Sequence, residues 1–196
     1  MLFDMKILVV DNYDSFTYNL VDYLLQTGLD CEVVRDSIEH IDMNEIHAIV
    51  FSPGPGHPNE HQLMNSILEQ YYDKKPILGI CLGMQAIGLK FGAKLTHASV
   101  PMHGKTSLIK CKASSVFSTL KEEIMVMRYH SLLLENIPET IFEVLAITEK
   151  NETMAIRHRY YPMIGLQFHP ESILTPDGLR IIQNWVSTIK AALKYS

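Results

Sequence analysis

Runs of consecutive apolar residues and segments of helical spacing alternate over the first half of the chain. Residues 6–10, 48–51 and 76–80 carry apolar side chains in succession, the pattern of parallel strands covered on both faces, and residues 31–34 form a weaker fourth run. Between them, Phe16, Leu20, Tyr23 and Leu24 fall on one helical stripe. Leu63, Met64, Ile67, Leu68 and Tyr71 form another, and Met84, Ile87, Gly88 and Phe91 a third. Such alternation predicts βαβ units and a parallel sheet.

Past Gly92 the period becomes two. Ile109 and Cys111 alternate with Lys110 and Lys112, and Ile164, Leu166 and Phe168 alternate with Gly165, Gln167 and His169. That pattern predicts half-covered, largely antiparallel strands that continue the same sheet. A last helix starts near Thr175-Pro176-Asp177, with Ile182, Trp185, Val186, Ile189 and Leu193 as its stripe. The expected fold is α/β: a single domain over residues 1–196 with an open mixed sheet, mainly parallel, flanked by helices. Residues 1–5 read as a short N-terminal extension, with Met5 an alternative start.

Composition narrows the class. With 196 residues, 47% of them hydrophobic, the chain can fill one large core. Lys and Arg number 17 against 22 Asp and Glu, a net charge of −5 that offers no basic field to a nucleic-acid backbone. Asp4 and Lys6 interrupt the N-terminal apolar run, so neither a signal peptide nor a membrane span is expected there. Cys31, Cys81 and Cys111 stand far apart with no C-x-x-C pair, which suits neither a disulfide framework nor a zinc knuckle and points to a reducing cytoplasm.

The sharpest candidate chemistry is Gly79-Ile80-Cys81-Leu82-Gly83-Met84-Gln85, placed where a buried strand ends and a helical stripe begins. The pattern G-x-C-x-G is a cysteine version of the nucleophile elbow, whose glycines permit a sharp strand-to-helix turn and close packing beside it. Unpaired N–H groups at the helix start stabilise a negative sulfur, and the Leu82 N–H can face an oxyanion. A small buried cysteine at an ordinary turn is the alternative, and a base decides between them. Phe168-His169-Pro170-Glu171-Ser172 supplies one: in an extended segment i and i+2 share a face, so Glu171 can orient the His169 imidazole toward Cys81.

Ser52-Pro53-Gly54-Pro55-Gly56 follows the strand at 48–51 and therefore lies at the same carboxyl edge as the elbow. A free N–H near Gly54 could complete the oxyanion hole with that of Leu82; a plain Pro/Gly turn is the alternative. Two rivals compete. His57-Pro58-Asn59-Glu60-His61 matches the H-x-x-E-H zinc-protease pattern, but Pro58 and the preceding turn put it in a loop or first helical turn, where chance explains the match better. Asp11 and Asp14 would suit an acidic phosphorelay pocket, which also wants an Asp where this chain has Phe51-Ser52.

Together these motifs carry a resemblance. G-I-C-L-G-M-Q, S-P-G-P-G and Q-F-H-P-E-S look like the triad, or class I, glutamine amidotransferases. DNYDSFTYNL at 11–20, Met102-His103-Gly104-Lys105 and Tyr129-His130-Ser131-Leu132 narrow it. They resemble the glutamine-hydrolysing component II of anthranilate synthase and its relative in 4-amino-4-deoxychorismate synthase. The match runs from about Lys6 to the last helix.

The resemblance implies a triad of Cys81, His169 and Glu171. It also implies a glutamine site made of backbone at Gly54, Pro55 and Gly56, the Gln85 side chain, and backbone at Ser131 and Leu132. Ammonia would pass to a larger chorismate-using subunit, component I, which rather than this chain would hold Mg²⁺; no metal and no cofactor are expected here. His103, Gly104 and Lys105 are assigned to the synthase-facing surface. Met84 departs from the His that many members of this subgroup carry, a change expected to tune rather than abolish activity. The alternatives are a γ-glutamyl peptide hydrolase of the same fold and a catalytically idle regulatory subunit. The product the resemblance implies is anthranilate, 4-amino-4-deoxychorismate or both.

Overall fold

The computed structural model describes residues 5–113 and 115–194. Met1–Asp4 of the expected extension and the Leu193 side chain lie outside the described residues. The apolar runs form β1 (Lys6–Val10), β2 (Asp30–Val34), β3 (Ile46–Phe51) and β4 (Ile77–Ile80). The helical stripes become α1 (Thr17–Gln26), α2 (Gln62–Tyr71) and α3 (Leu82–Lys90). The second half supplies β5 (Lys94–Cys111), β6 (Glu123–Glu135), β7 (Phe142–Thr148), β8 (Thr153–His158), β9 (Met163–Leu166) and α4 (Gly178–Lys194).

All nine described strands join one sheet in the order β2-β1-β3-β4-β9-β8-β7-β5-β6. The ladders from β2 to β9 are parallel and the remaining ones antiparallel, so the expected parallel pairing makes up one half of the mixed sheet. Strand alternation sorts the core into two layers. Ile7, Val9, Val50 and Leu78 pack toward α1 and α4 through Leu20, Leu24, Ile182 and Trp185, whereas Leu8, Ile49 and Phe51 face α2 and α3 through Met64, Ile67, Met84 and Ile87. Burying each such large side chain contributes roughly 1.5–3 kcal/mol.

Two expectations from periodicity are corrected. Phe16 does not join the buried stripe of α1; it is the residue before the helix and is 39% exposed, because the chain turns into the helix only at Thr17. β9 is not a half-covered antiparallel strand. All four of its residues are buried, and it pairs parallel to β4 and antiparallel to β8. The non-apolar alternates Gly165, Gln167 and His169 face protein instead of water: a Cβ on Gly165 would press on Met84 of α3, and Gln167 and His169 are buried.

The sheet also folds back on itself. β5 and β6 are long, with register shifts in their pairing between His97 and Met102 and between His103 and Lys105. A bridge joins Met127 of β6 to His169, whose N–H donates to the Met127 carbonyl at 2.9 Å. The far edge of the sheet thereby returns to the carboxyl end of the parallel strands.

Candidate active site

β4 runs into α3 through Cys81, which caps the helix with φ +51° and ψ −99°. A non-glycine residue with positive φ costs of order 1–3 kcal/mol, and here the packing imposes it. A Cβ on Gly79 would lie 2.4 Å from the carbonyl carbon of Gly83, and one on Gly83 would lie 2.7 Å from Cβ of Phe51. Only glycines let the helix start so close to the strands. The Cys81 N–H donates to the Leu166 carbonyl at 2.7 Å, and its own carbonyl accepts from the Gln85 N–H at 3.1 Å.

The turn after β3 is clamped beside this corner. Asn12 donates its backbone N–H to Ser52 Oγ at 2.8 Å and its side-chain amide to the Ser52 carbonyl at 2.9 Å. Gly54 is then wedged in place: an added Cβ would fall 2.6 Å from the Asn12 carbonyl oxygen and 2.8 Å from the Leu82 side chain. The N–H groups of Gly54 and Leu82 have no protein acceptor among the described residues.

His169 approaches from the end of β9. Its Nδ1 meets Glu171 Oε1 at 2.6 Å, and both side chains are almost wholly buried. Burial alone would lower the proton affinity of the imidazole. The Glu171 charge, the Cys81 side chain and the hydrogen bond to Glu171 outweigh it and hold the His169 pKa well above the usual histidine value. Nε2 is buried without a hydrogen-bond partner among the described residues. The proximity of Cys81 is therefore felt by the ring even though no hydrogen bond of ordinary geometry joins Nε2 to Sγ. Burial, with Asp30 adding to it at Cys31, pushes the thiols of Cys31 and Cys111 up to about 12.

A cleft of about 410 Å³ opens over Cys81 and His169. Gly54, Pro55 and Gly56 line one side, and Gln85, Ser131 and Leu132 another, so the structure brings the residues expected to form the glutamine site together with Cys81. Leu82 and Glu171 lie just behind. His103 reaches the rim, its ring edge-on to Tyr129 with 5.2 Å between centroids; Gly104 and Lys105 are exposed farther along β5. Tyr13, Asp14, Ser15 and Phe16 also line the cleft without having been expected there, and Gln167, equally unexpected, is buried outside the lining with its amide nitrogen 3.5 Å from Sγ of Cys81. The signal for Gln167 was its parity with His169 and Glu171.

Both rival constellations are engaged in structure. His57 Nδ1 accepts the Asn59 N–H at 3.1 Å, Glu60 accepts the His57 N–H at 3.2 Å, and His61 Nε2 contacts the Pro55 carbonyl at 2.8 Å, all around a 3₁₀ turn at Pro58–Glu60. Asp11 binds Arg35 at 2.6 Å and Thr17 at 2.9 Å. A larger cleft of about 780 Å³ lies against β5 and the β7–β8 turn; its buried Arg128 is paired with Glu152 at 2.6 Å, and the Thr148 hydroxyl donates to the same carboxylate at 3.3 Å. Among the described residues no group of three His, Cys, Asp or Glu is placed to hold a metal ion, and no helix is long and apolar enough to cross a membrane.

Comparison with known proteins adds an independent line. The family model for class-I glutamine amidotransferases matches residues 8–189. The chain is 43% identical over 189 residues to the bifunctional protein TrpGD of Thermotoga maritima, a match covering 93% of this chain and 32% of that longer protein. It is 42% identical to aminodeoxychorismate synthase component 2 of Escherichia coli (92% of this chain, 98% of that one). It is 43% identical to aminodeoxychorismate/anthranilate synthase component 2 of Bacillus subtilis (94% and 97%). Among solved structures, a Thermoplasma acidophilum protein described as a GMP synthase subunit superposes with a TM-score of 0.89 at 26% identity, covering 100% of this chain and 98% of that one.

Proposed function

The chain belongs to the class I glutamine amidotransferases, and from that premise we propose that it hydrolyses the side-chain amide of L-glutamine and passes the ammonia to a chorismate-using synthase subunit. The product of the pair would be anthranilate, aminodeoxychorismate or both. One observation carries the reading: Cys81 stands on a strained strand-to-helix corner beside a buried imidazole whose Nδ1 is held by Glu171 and whose Nε2 is unoccupied by any protein group among the described residues.

In this reading Cys81 Sγ attacks the amide carbon while His169 Nε2 holds the proton from the thiol. The oxyanion draws on the N–H groups of Leu82 and Gly54. Collapse of the tetrahedral species, with His169 returning its proton to nitrogen, releases ammonia and leaves a γ-glutamyl thioester; water activated by His169 then frees glutamate and the thiol. Glu171 fixes the tautomer and stabilises the imidazolium. Gln85 donates to the Leu132 carbonyl and to Gln167, so the acceptor at its other end remains for a donor on the substrate.

These steps need no cofactor in this chain; chorismate and Mg²⁺ would belong to the partner. His103, Gly104 and Lys105, exposed at and beyond the cleft rim, would face that subunit, and the pair would work in the cytoplasm. Assaying the purified chain with its synthase subunit tests the reading: glutamine-dependent and ammonia-dependent synthesis should both be seen, with glutamate formed in step with the first. Preferred turnover of γ-glutamyl peptides over glutamine, independent of any synthase, would replace it with a peptide hydrolase.

A further inference from the structure

We infer that Gln167 is a positioning residue for the nucleophile, an amide donor that aims and stabilises the Cys81 sulfur; this rests on the reading of Cys81 as the attacking group. Which end of the Gln167 amide faces the sulfur follows from a backbone anchor. The Leu132 carbonyl can only accept, so the Gln85 atom 3.2 Å from it is the nitrogen. That same nitrogen lies 3.1 Å from the Gln167 amide, so the Gln167 atom receiving it is the oxygen. The NH₂ end of Gln167 is left pointing at Sγ, 3.5 Å away.

The anchor is itself fixed. Arg128 Nε can only donate to His130 Nε2, at 3.1 Å, so Nδ1 carries the proton and donates to the Leu132 carbonyl at 3.0 Å. Burial first, and then the charge of Arg128, push the His130 pKa down to about 3, which keeps the ring neutral and this tautomer in place. Arg128 is held in turn by Glu152 at 2.6 Å. A chain of directed hydrogen bonds therefore runs from the Arg128–Glu152 ion pair to the sulfur, and each member can be oriented only one way.

A spacer would not need this chemistry. Gln167 is fully buried between β9 and the start of α3, where an apolar side chain of equal volume would avoid the penalty of burying an imperfectly bonded amide. What the amide adds is a donor on one side of Sγ, which itself reaches the Tyr129 carbonyl at 4.0 Å. Gln167 is fully buried and does not line the cleft, so its loss should act on turnover rather than on affinity.

Gln167→Met and Gln167→Glu test this with the full chain and its synthase subunit. Gln167→Met, similar in volume and without a donor, should lower kcat for glutamine hydrolysis about 10–100-fold with KM within about twofold, and slow iodoacetamide alkylation of Cys81 comparably. Ammonia-dependent synthesis should persist. Gln167→Glu should lose activity progressively as pH rises, because the ionised carboxylate repels a negative sulfur; if Gln167→Met does not fold, this pH dependence decides. Wild-type kcat in folded Gln167→Met, a rise in KM alone, or a pH-independent Gln167→Glu would overturn the inference. A wild-type chain without Cys81-dependent glutaminase activity would instead remove the reading beneath it.

Discussion

A methyl group added to Gly79 at the β4–α3 corner would sit 2.4 Å from the backbone of Gly83, whereas one added to Gly104 on the β5–β6 ribbon would meet nothing within 4 Å. Cys81 is 5% exposed at the first place, and Tyr129 is 53% exposed at the second. Both regions contribute to one cleft. The corner holds Cys81 by backbone packing that leaves no slack, at the cost of a strained φ. The ribbon supplies carbonyls, an imidazole and aromatic rims from a pair of bulged strands open to solvent. Geometry that must not vary is built where the sheet is covered on both faces, and surface that can respond to a partner is built where it is not.

The most severe way to break the corner is Gly83→Val. Its Cβ would fall 2.7 Å from Phe51, and the expected outcome is destabilisation by more than about 4 kcal/mol or failure to fold, read by urea denaturation. Next comes Glu171→Gln, which keeps the shape and removes the charge that counters the burial of His169; kcat should fall by about 10²–10⁴ with KM little changed in steady-state assays.

The two histidines sharpen the contrast because their signs are opposite. His169 at the corner binds its proton more tightly when folded, so the stability it contributes is present below the unfolded pKa near 6.5 and lost as pH rises through the folded value. His130 on the ribbon is depressed to about 3, so its proton is taken first by the unfolded chain. Its contribution is present above about pH 6.5 and lost as pH falls toward 3. Between pH 7 and pH 5 the wild type should lose about 2 kcal/mol more than His130→Gln in chemical denaturation. A parallel loss in the two proteins would refute the assignment of a neutral His130.

The smallest effects belong to the exposed ribbon. Gly104→Ala meets no atom but must hold φ +64°, so about 1 kcal/mol of stability should be lost in thermal melts. His103→Ala and Lys105→Ala should change stability by less than about 0.5 kcal/mol and weaken stimulation by the synthase subunit more than basal glutaminase. Unchanged stimulation in both would remove these residues from the partner surface.

What was legible in the sequence follows the same division. Residues 6–10 read as β1 without adjustment, and the elbow glycines announced the corner, because a buried parallel strand and a tight turn each constrain residue type locally. The pairing of His169 with Glu171 was visible as an i, i+2 relation. The burial of β9 on both faces was not, because Gly165 and Gln167 read as the uncovered alternates of a half-covered strand until the start of α3 packs on them through Met84 and Gln85. The Arg128, His130 and Leu132 chain was equally hidden. Its members share one strand at alternate positions, but what they hold depends on a curl of the sheet that no local pattern encodes.

The most direct test of the account is the activity of the complex carrying Cys81→Ala, assayed once with glutamine and once with free ammonia as nitrogen source. Loss of glutamine-dependent synthesis with ammonia-dependent synthesis nearly intact is the predicted result, since ammonia bypasses the thioester. Equal loss of both would make Cys81 a structural residue, and retention of glutamine-dependent synthesis would place the nucleophile elsewhere.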